Sequence, residues 1–324
     1  MNRTILNAIG EKLHQAQKIL ILTHLRPDGD AIGSLLGLGL SLEAGGKTVQ
    51  MVSADGVPAT FRHLAGSDKI TKHVDGNFDL VIIVDCSDPG RAGYPLEGLG
   101  QPDIGIDHHI TNLNFAIHNL VETEAAATAE IIARYLPVWG FLIDVEVADA
   151  LLTGLLSDTI GLRTSNVTGQ VLRTAADLVD VGSNLADLYR KVLLQQSLSA
   201  ARYWGTGLSK LMYENGIVWT TLTLLDRKAA NYPGRDDADL INMLSFLNEV
   251  KVAIIFIEQP DNIVKVSWRA QNGNDVSQVA IRFGGGGHRA AAGAEIAGIL
   301  PEVQLQVLNA TREIFLQEKV SDAK

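Results

Sequence analysis

The stretch Ile19-Leu20-Ile21-Leu22-Thr23-His24-Leu25-Arg26-Pro27-Asp28-Gly29-Asp30-Ala31 decides how the first half of the chain is read. Residues 19–23 form a continuous apolar run of strand length, and the loop after it carries an imidazole and two carboxylates. An uninterrupted apolar run is the signature of a strand covered on both faces. Asp30 is placed to cap a helix over residues 31–44, which Gly45-Gly46 ends. Further strands follow at 47–53, 80–84 and 104–106, the last two again apolar, and helices at about 125–135, 145–156 and 169–179. Apolar strands alternating with helices predict an α/β fold: a mostly parallel sheet with helices on both faces. In such a sheet the carboxyl ends of the strands share one edge, where ligands bind.

The later pattern differs. Residues 183–203 read as a charged amphipathic helical linker. Runs at 216–225 and 252–258, the turn Pro260-Asp261-Asn262 and a partner strand at 263–268 predict a hairpin-containing sheet, with helices at 239–249 and 301–317. The expected division is therefore 1–182, a linker at 183–203, and a smaller C-terminal α+β domain at 204–324. The length, 324 residues, and the apolar content of 46% suit two packed domains.

Composition excludes several classes. The formal net charge of −10 argues against a protein that tracks long duplex nucleic acid, which needs a basic surface. A single cysteine, Cys86, allows no intrachain disulfide, which suits a cytoplasmic location. No apolar run approaches the roughly 18 residues that span a bilayer, so no membrane association is expected.

The chemistry lies at the strand ends. The first strand leads into His24, Asp28 and Asp30, the third into Asp85, and the fourth into Asp107-His108-His109. Asp158, after the apolar helix near 145–156, can complete the group. So many carboxylates and imidazoles on one edge would repel or lie unused without cations. Their oxygen and nitrogen donors, lacking thiolate, suit divalent manganese, magnesium, zinc or iron. Two such ions sharing a carboxylate can clamp a phosphate and activate water.

These segments resemble the DHH phosphoesterase superfamily. The resemblance rests on His24-Leu25-Arg26-Pro27-Asp28-Gly29-Asp30, Val84-Asp85-Cys86-Ser87-Asp88, Asp107-His108-His109 and Gly154-Leu155-Leu156-Ser157-Asp158-Thr159. In the second half, Phe283-Gly284-Gly285-Gly286-Gly287-His288 followed by Ala290-Ala291-Ala292-Gly293 resembles the DHH-associated C-terminal domain. Order and spacing are most similar to the short two-domain members, the oligoribonuclease and 3′-phosphoadenosine 5′-phosphate phosphatase (nanoRNase) group. The resemblance implies one metal on His24, Asp28 and Asp85, and a second on Asp30, Asp85, His108 and Asp158, with manganese the usual ion. It implies that His109 faces the scissile phosphate and that Asp107 orients the histidine pair. Arg269, Gly285, Gly286, Gly287 and His288 would bind the distal end of the substrate.

The implied partners are short oligoribonucleotides and small nucleotides, and relatives of this kind are often homodimers. The implied activity is hydrolysis of very short RNA to mononucleotides and dephosphorylation of 3′-phosphoadenosine 5′-phosphate. Hydrolysis of cyclic di-AMP or linear pApA is the alternative within the superfamily. A nucleotide-binding sensor is the alternative outside enzymes, and it is disfavoured by the complete ligand set. The chain departs from its relatives at Arg269-Ala270, where many have Arg-Ser, and at Ile160-Gly161-Leu162-Arg163-Thr164, where many have Gly-Gly-Phe-Arg-Tyr. Trp268 is a stacking or a packing residue, and Cys86 is expected to be small and buried.

Overall fold

The computed structural model describes residues 3–271 and 273–321, without the side chains of Tyr94, His288 and 315–321. The chain divides into two compact units, 1–195 and 196–324.

The first unit runs α1 (Arg3–Gln15), β1 (Lys18–Leu22), α2 (Gly29–Ala44), β2 (Thr48–Val52), β3 (Leu80–Val84), α3 (Pro89–Ala92), β4 (Ile104–Asp107), β5 (His118–Val121), α4 (Thr128–Tyr135), α5 (Val145–Asp158), α6 (Gly169–Val181) and α7 (Leu185–Tyr189). Its five strands lie in the order β2-β1-β3-β4-β5, and every pairing is parallel. The order reverses direction at β1, so the carboxyl ends of β1 and β3 flank the topological switch point. The apolar runs read from sequence are these central strands. β5 has no such run: only Leu120 of its four residues is buried, as befits an edge strand.

Strand periodicity distributes the core. Ile19 and Ile21 of β1, with Ile82 and Val84 of β3, join the large cluster that includes α1, α2, α4 and α5. Leu20, Leu22 and Ile83 point the other way, into a smaller cluster with Cys86 and Ala92. The two faces are thus covered unequally, the second by short turns and α3. On the main face α2 and α5 cross closely. A side chain at Gly33 would put its Cβ 2.5 Å from the Ala150 carbonyl oxygen, and one at Gly154 would put it 2.9 Å from Asp30 Oδ1. These small residues let the two helices that carry Asp30 and Asp158 approach backbone to backbone.

The second unit comprises α8 (Leu198–Leu208), β6 (Met212–Glu214), β7 (Ile217–Leu222), α9 (Leu224–Ala230), α10 (Leu240–Leu244), β8 (Val252–Gln259), β9 (Ile263–Ala270), α11 (Ser277–Arg282), β10 (Gly286–His288), β11 (Ala291–Ala297) and α12 (Leu300–Ser321). Six strands form one mixed sheet in the order β10-β11-β9-β8-β7-β6, with β7 and β8 parallel and the rest antiparallel. The hairpin expected around Pro260-Asp261-Asn262 is β8–β9, with Asp261 and Asn262 both in the left-handed region at φ 62° and 54°. The helix read over 239–249 is shorter, Leu240–Leu244. The stretch read as a linker contributes to both units: α7 packs on α5, whereas α8 packs on β7. Among the described residues no helix is long and apolar enough to cross a membrane.

Candidate metal centre

Asp28, not Asp30, caps α2. Its Oδ1 accepts hydrogen bonds from the Asp30 and Ala31 amides, both at 3.0 Å, and the helix begins two residues earlier than the sequence suggests. Asp30 is thereby carried into the first helical turn, where it is wholly buried. Its carboxylate instead accepts from the amides of Thr128 at 2.6 Å and Ala129 at 2.9 Å, at the start of α4. Residue Ala127 precedes α4 and offers no capping side chain, so an aspartate almost a hundred residues away satisfies that helix end. Ser34 Oγ donates to the same carboxylate at 3.2 Å.

Asp85 ends β3 at φ 55°, a left-handed conformation that aspartate tolerates better than most residues. The bend takes its side chain out of the sheet and into the centre of the cluster. Oδ2 lies 3.4 Å from His24 Nε2, and Oδ1 lies 3.8 Å from His108 Nε2 and 3.7 Å from His109 Nδ1. Thr128 Oγ1 donates to Oδ1 at 3.0 Å. His24 Nδ1 lies 2.8 Å from the Leu25 carbonyl oxygen. That bond requires the proton on Nδ1 and makes Nε2 the nitrogen that faces Asp85 and Asp28. His108 is arranged alike, Nδ1 3.3 Å from the Ala125 carbonyl and Nε2 3.2 Å from Asp158 Oδ2 and 3.9 Å from Asp30 Oδ2.

Potential ligand atoms of His24, Asp28 and Asp85 lie within 4.8 Å of one another, as do those of Asp30, His108 and Asp158. Asp85, His108 and His109 form a third such set that overlaps both. The structure therefore brings all six ligand residues named from the sequence into one cluster, with Asp85 common to two sets.

Burial, then the charges of Asp85, Asp158 and Asp28, push the Asp30 carboxyl well above its usual range. Burial and the charges of Asp85 and Asp28 do the same to Asp158. Burial acts on Asp85 too, but the His24 hydrogen bond and the His108, His24 and His109 charges outweigh it and hold that carboxyl at about 2. Carboxylates crowded this way around oriented imidazoles, with only oxygen and nitrogen donors, fit divalent cations.

Asp107 supports the histidines. Its Oδ1 accepts from the His108 amide at 2.8 Å and from His109 Nδ1 at 2.7 Å, which turns His109 Nε2 away from Asp107. Its Oδ2 accepts from Asn112 Nδ2 at 2.6 Å. Burial lowers the His109 pKa, but the Asp107 bond and the Asp85 charge outweigh it and raise it. Asn112, Thr128 and Ser34 were not singled out from sequence: Thr128 acts on Asp85, 43 residues away, Asn112 lies in an unremarkable polar stretch, and Ser34 is a small residue within the apolar helix α2. Removing the Asn112 amide frees one side of Asp107. Asn112→Ala is expected to lower kcat about 10- to 100-fold with KM little changed, as read by steady-state kinetics.

The second unit treats its named residues differently. Arg269 is half-buried; its Nε lies 3.2 Å from Asn242 Oδ1 and its Nη1 3.1 Å from the Trp268 carbonyl. Trp268 is fully buried in the second unit's core, so it is a packing residue and not a stacking platform. Gly287 belongs to β10 and Gly285 directly precedes it: a Cβ at Gly285 would lie 2.1 Å from the Gly293 oxygen, and one at Gly287 2.4 Å from the Ala291 oxygen. The space at Gly286 is open. The His288 side chain lies outside the described residues. Arg289 is exposed and pairs with Asp275 at 3.8 Å. Cys86 is buried, its thiol donating to the Asp88 carbonyl at 3.1 Å, and burial pushes its pKa up to about 12.

Residues 18–155 match the DHH family, N-terminal domain, and residues 227–317 match the DHHA1 domain. The chain is 35% identical over 301 residues to the bifunctional oligoribonuclease and PAP phosphatase NrnA of Thermus thermophilus, covering 91% of this chain and 89% of that protein. It is 28% identical to the protein of the same name from Mycoplasma genitalium, covering 88% and 90%. Among solved structures, an exopolyphosphatase-related protein from Bacteroides fragilis superposes with a TM-score of 0.90 at 24% identity, over 100% of this chain and 98% of that one. That last likeness is one of fold.

Proposed function

The chain belongs to the DHH family and carries a DHHA1 domain, and from that premise we propose a metal-dependent phosphoesterase that hydrolyses very short RNA to mononucleotides and dephosphorylates 3′-phosphoadenosine 5′-phosphate. The observation that carries the reading is the cluster of buried Asp30 and Asp85 with half-buried His108 and Asp158, beside His24 and Asp28, at the carboxyl edge of a parallel sheet. His24, Asp28 and Asp85 would hold one divalent ion, and Asp30, Asp85, His108 and Asp158 the other, with manganese the proposed metal. When bound, the pair supplies positive charge for the attack of water on phosphorus.

The protein's own groups do the rest. Hydrogen bonds to Leu25 and Ala125 hold His24 and His108 in ligating orientation. Asp85 is ionised and keeps both sets of ligands in register. His109, its Nδ1 tied to Asp107, presents Nε2 to the phosphoryl group or the leaving oxygen. Arg269, the glycine turn and His288 are proposed to bind the nucleotide and so select short substrates. The negative net charge accords with substrates held by few phosphates rather than long strands.

A substrate panel with manganese tests this. Dinucleotides and 3′-phosphoadenosine 5′-phosphate should be turned over at least tenfold faster than a long oligomer or cyclic di-AMP. Equal turnover of a dinucleotide and a long strand would sink the short-substrate reading. Faster turnover of cyclic di-AMP than of any of the others would move the chain to the cyclic-dinucleotide class.

A further inference from the structure

Next to the cluster lies a recess of about 460 Å³ lined by His24, Leu25, Arg26, Asp28, Gly90 and Arg91. Two of these side chains are named metal ligands, and two are guanidinium groups that the family motifs and the reading above leave without a role. The walls are tied together. The Leu25 amide donates to the Arg91 carbonyl at 2.6 Å, and the Arg91 amide donates to Asp88 Oδ1 at 3.2 Å. The Arg26 amide donates to Asp55 Oδ2 at 2.6 Å, with Arg26 at φ 54°. A non-glycine residue in that region is held there by its surroundings, and such positions gather at ligand sites. Backbone contacts therefore place both arginines, whatever their side chains do.

The side chains themselves are unengaged. Among the described residues, no hydrogen bond or ion pair holds either guanidinium, although Asp28 borders the same recess. Arg91 is half-buried and lines the recess from α3, and its charge acts on both His109 and Cys86. A half-buried guanidinium with no partner is costly unless an anion completes it. In a protein of net charge −10, two uncommitted cations beside a carboxylate cluster are a local exception to the overall sign.

We propose that Arg91, with Arg26 at the rim, is a substrate-binding residue that grips phosphoryl oxygens of the nucleotide on the His24 and Asp28 side of the centre. The planar guanidinium offers two parallel N–H donors to two phosphate oxygens, a match that an ammonium lacks. The inference rests on the phosphoesterase reading and adds to it a residue and a ligand: a terminal phosphate, bound before any bond is broken.

The test has a binding arm and a protection arm. Inorganic phosphate is titrated calorimetrically into the manganese-loaded parent, Arg91→Ala and Arg91→Lys proteins. Separately, phenylglyoxal modification of Arg91 is followed by mass spectrometry with and without phosphate. Arg91→Ala is expected to weaken phosphate binding about 10- to 100-fold, the range of a charged hydrogen-bond pair. Arg91→Lys should recover part of that loss, and phosphate should protect Arg91 in the parent. The substitution leaves the backbone contacts to Leu25 and Asp88 in place, and an unchanged melting temperature checks the fold. A parent that binds phosphate while Arg91 reacts at an unchanged rate, or an Arg91→Ala protein that binds like the parent, overturns the assignment alone. A parent that binds no phosphate overturns the assignment, whereas the phosphoesterase reading falls only if the parent turns over none of the substrate panel.

Discussion

An Asp85→Asn protein is expected to lose about a thousandfold or more in kcat/KM on a dinucleotide while remaining folded. Partners that merely orient metal ligands cost about 10- to 100-fold when removed, and single charge-stabilising donors about 100- to 1,000-fold. Asp85 stands above both, because its two oxygens face His24 on one side and His108 and His109 on the other. Asparagine isolates the charge. It tolerates the left-handed backbone at this position, and its carbonyl can still accept from Thr128 Oγ1. Metal content should fall with activity, as measured by elemental analysis of the purified variant. Undiminished metal and turnover within tenfold of the parent would remove Asp85 from the centre of the mechanism.

The second large effect concerns the metals. Chelation should abolish turnover, and adding manganese back should restore it. Binding should also release protons. Raised pKa values at Asp30, Asp158 and His24 mean that the metal-free cluster retains protons that ligation must displace. Calorimetric titrations in buffers of different ionisation enthalpy read that release directly.

The same shifts set the sign of stability against pH. A group whose folded pKa is raised stabilises the fold at low pH, and that contribution is lost as pH rises through the folded value. Asp30, Asp158, His24 and His109 all act in this sense. Asp85, held at about 2, acts oppositely, but its window lies in strong acid, below the usual carboxyl value of 3.8. The metal-free protein should therefore weaken from weakly acidic to weakly alkaline pH, and the metal-induced rise in Tm should grow over that range. At a hundredfold excess over Kd, a metal that binds only the folded state adds about 2.7 kcal/mol, several degrees in Tm. A Tm indifferent to manganese across the range would argue that the cluster holds no ion.

Much of this was legible without coordinates. The runs at 19–22, 80–84 and 104–106 are apolar on both strand faces, which only a covered parallel sheet accommodates, and the ligand-type residues stand where those runs stop. Local chemistry misled at Asp30. Asp28 and Asp30 are equally good capping residues in sequence, and the choice went to Asp28 because Asp30 has a better use at the amides of Thr128 and Ala129. Trp268, beside Arg269, is in sequence a packing residue more often than a stacking one, and the β9 register turns it into the core. Gly285 and Gly287, which resemble part of a phosphate cradle, are required by the close approach of their backbone to β11.

The amino-acid order thus determined the reaction edge and the kinds of ligand on it, because strand ends and donor types are local properties. Which carboxylate serves as a cap and which is buried as a ligand was decided only by the fold. So were the anchoring of His109 by Asp107 and Asn112 and the freedom of Arg91. Each turns on which hydrogen bonds form, or in the case of the Arg91 guanidinium do not form, and a hydrogen bond's partner is set by three-dimensional proximity, which no local pattern encodes.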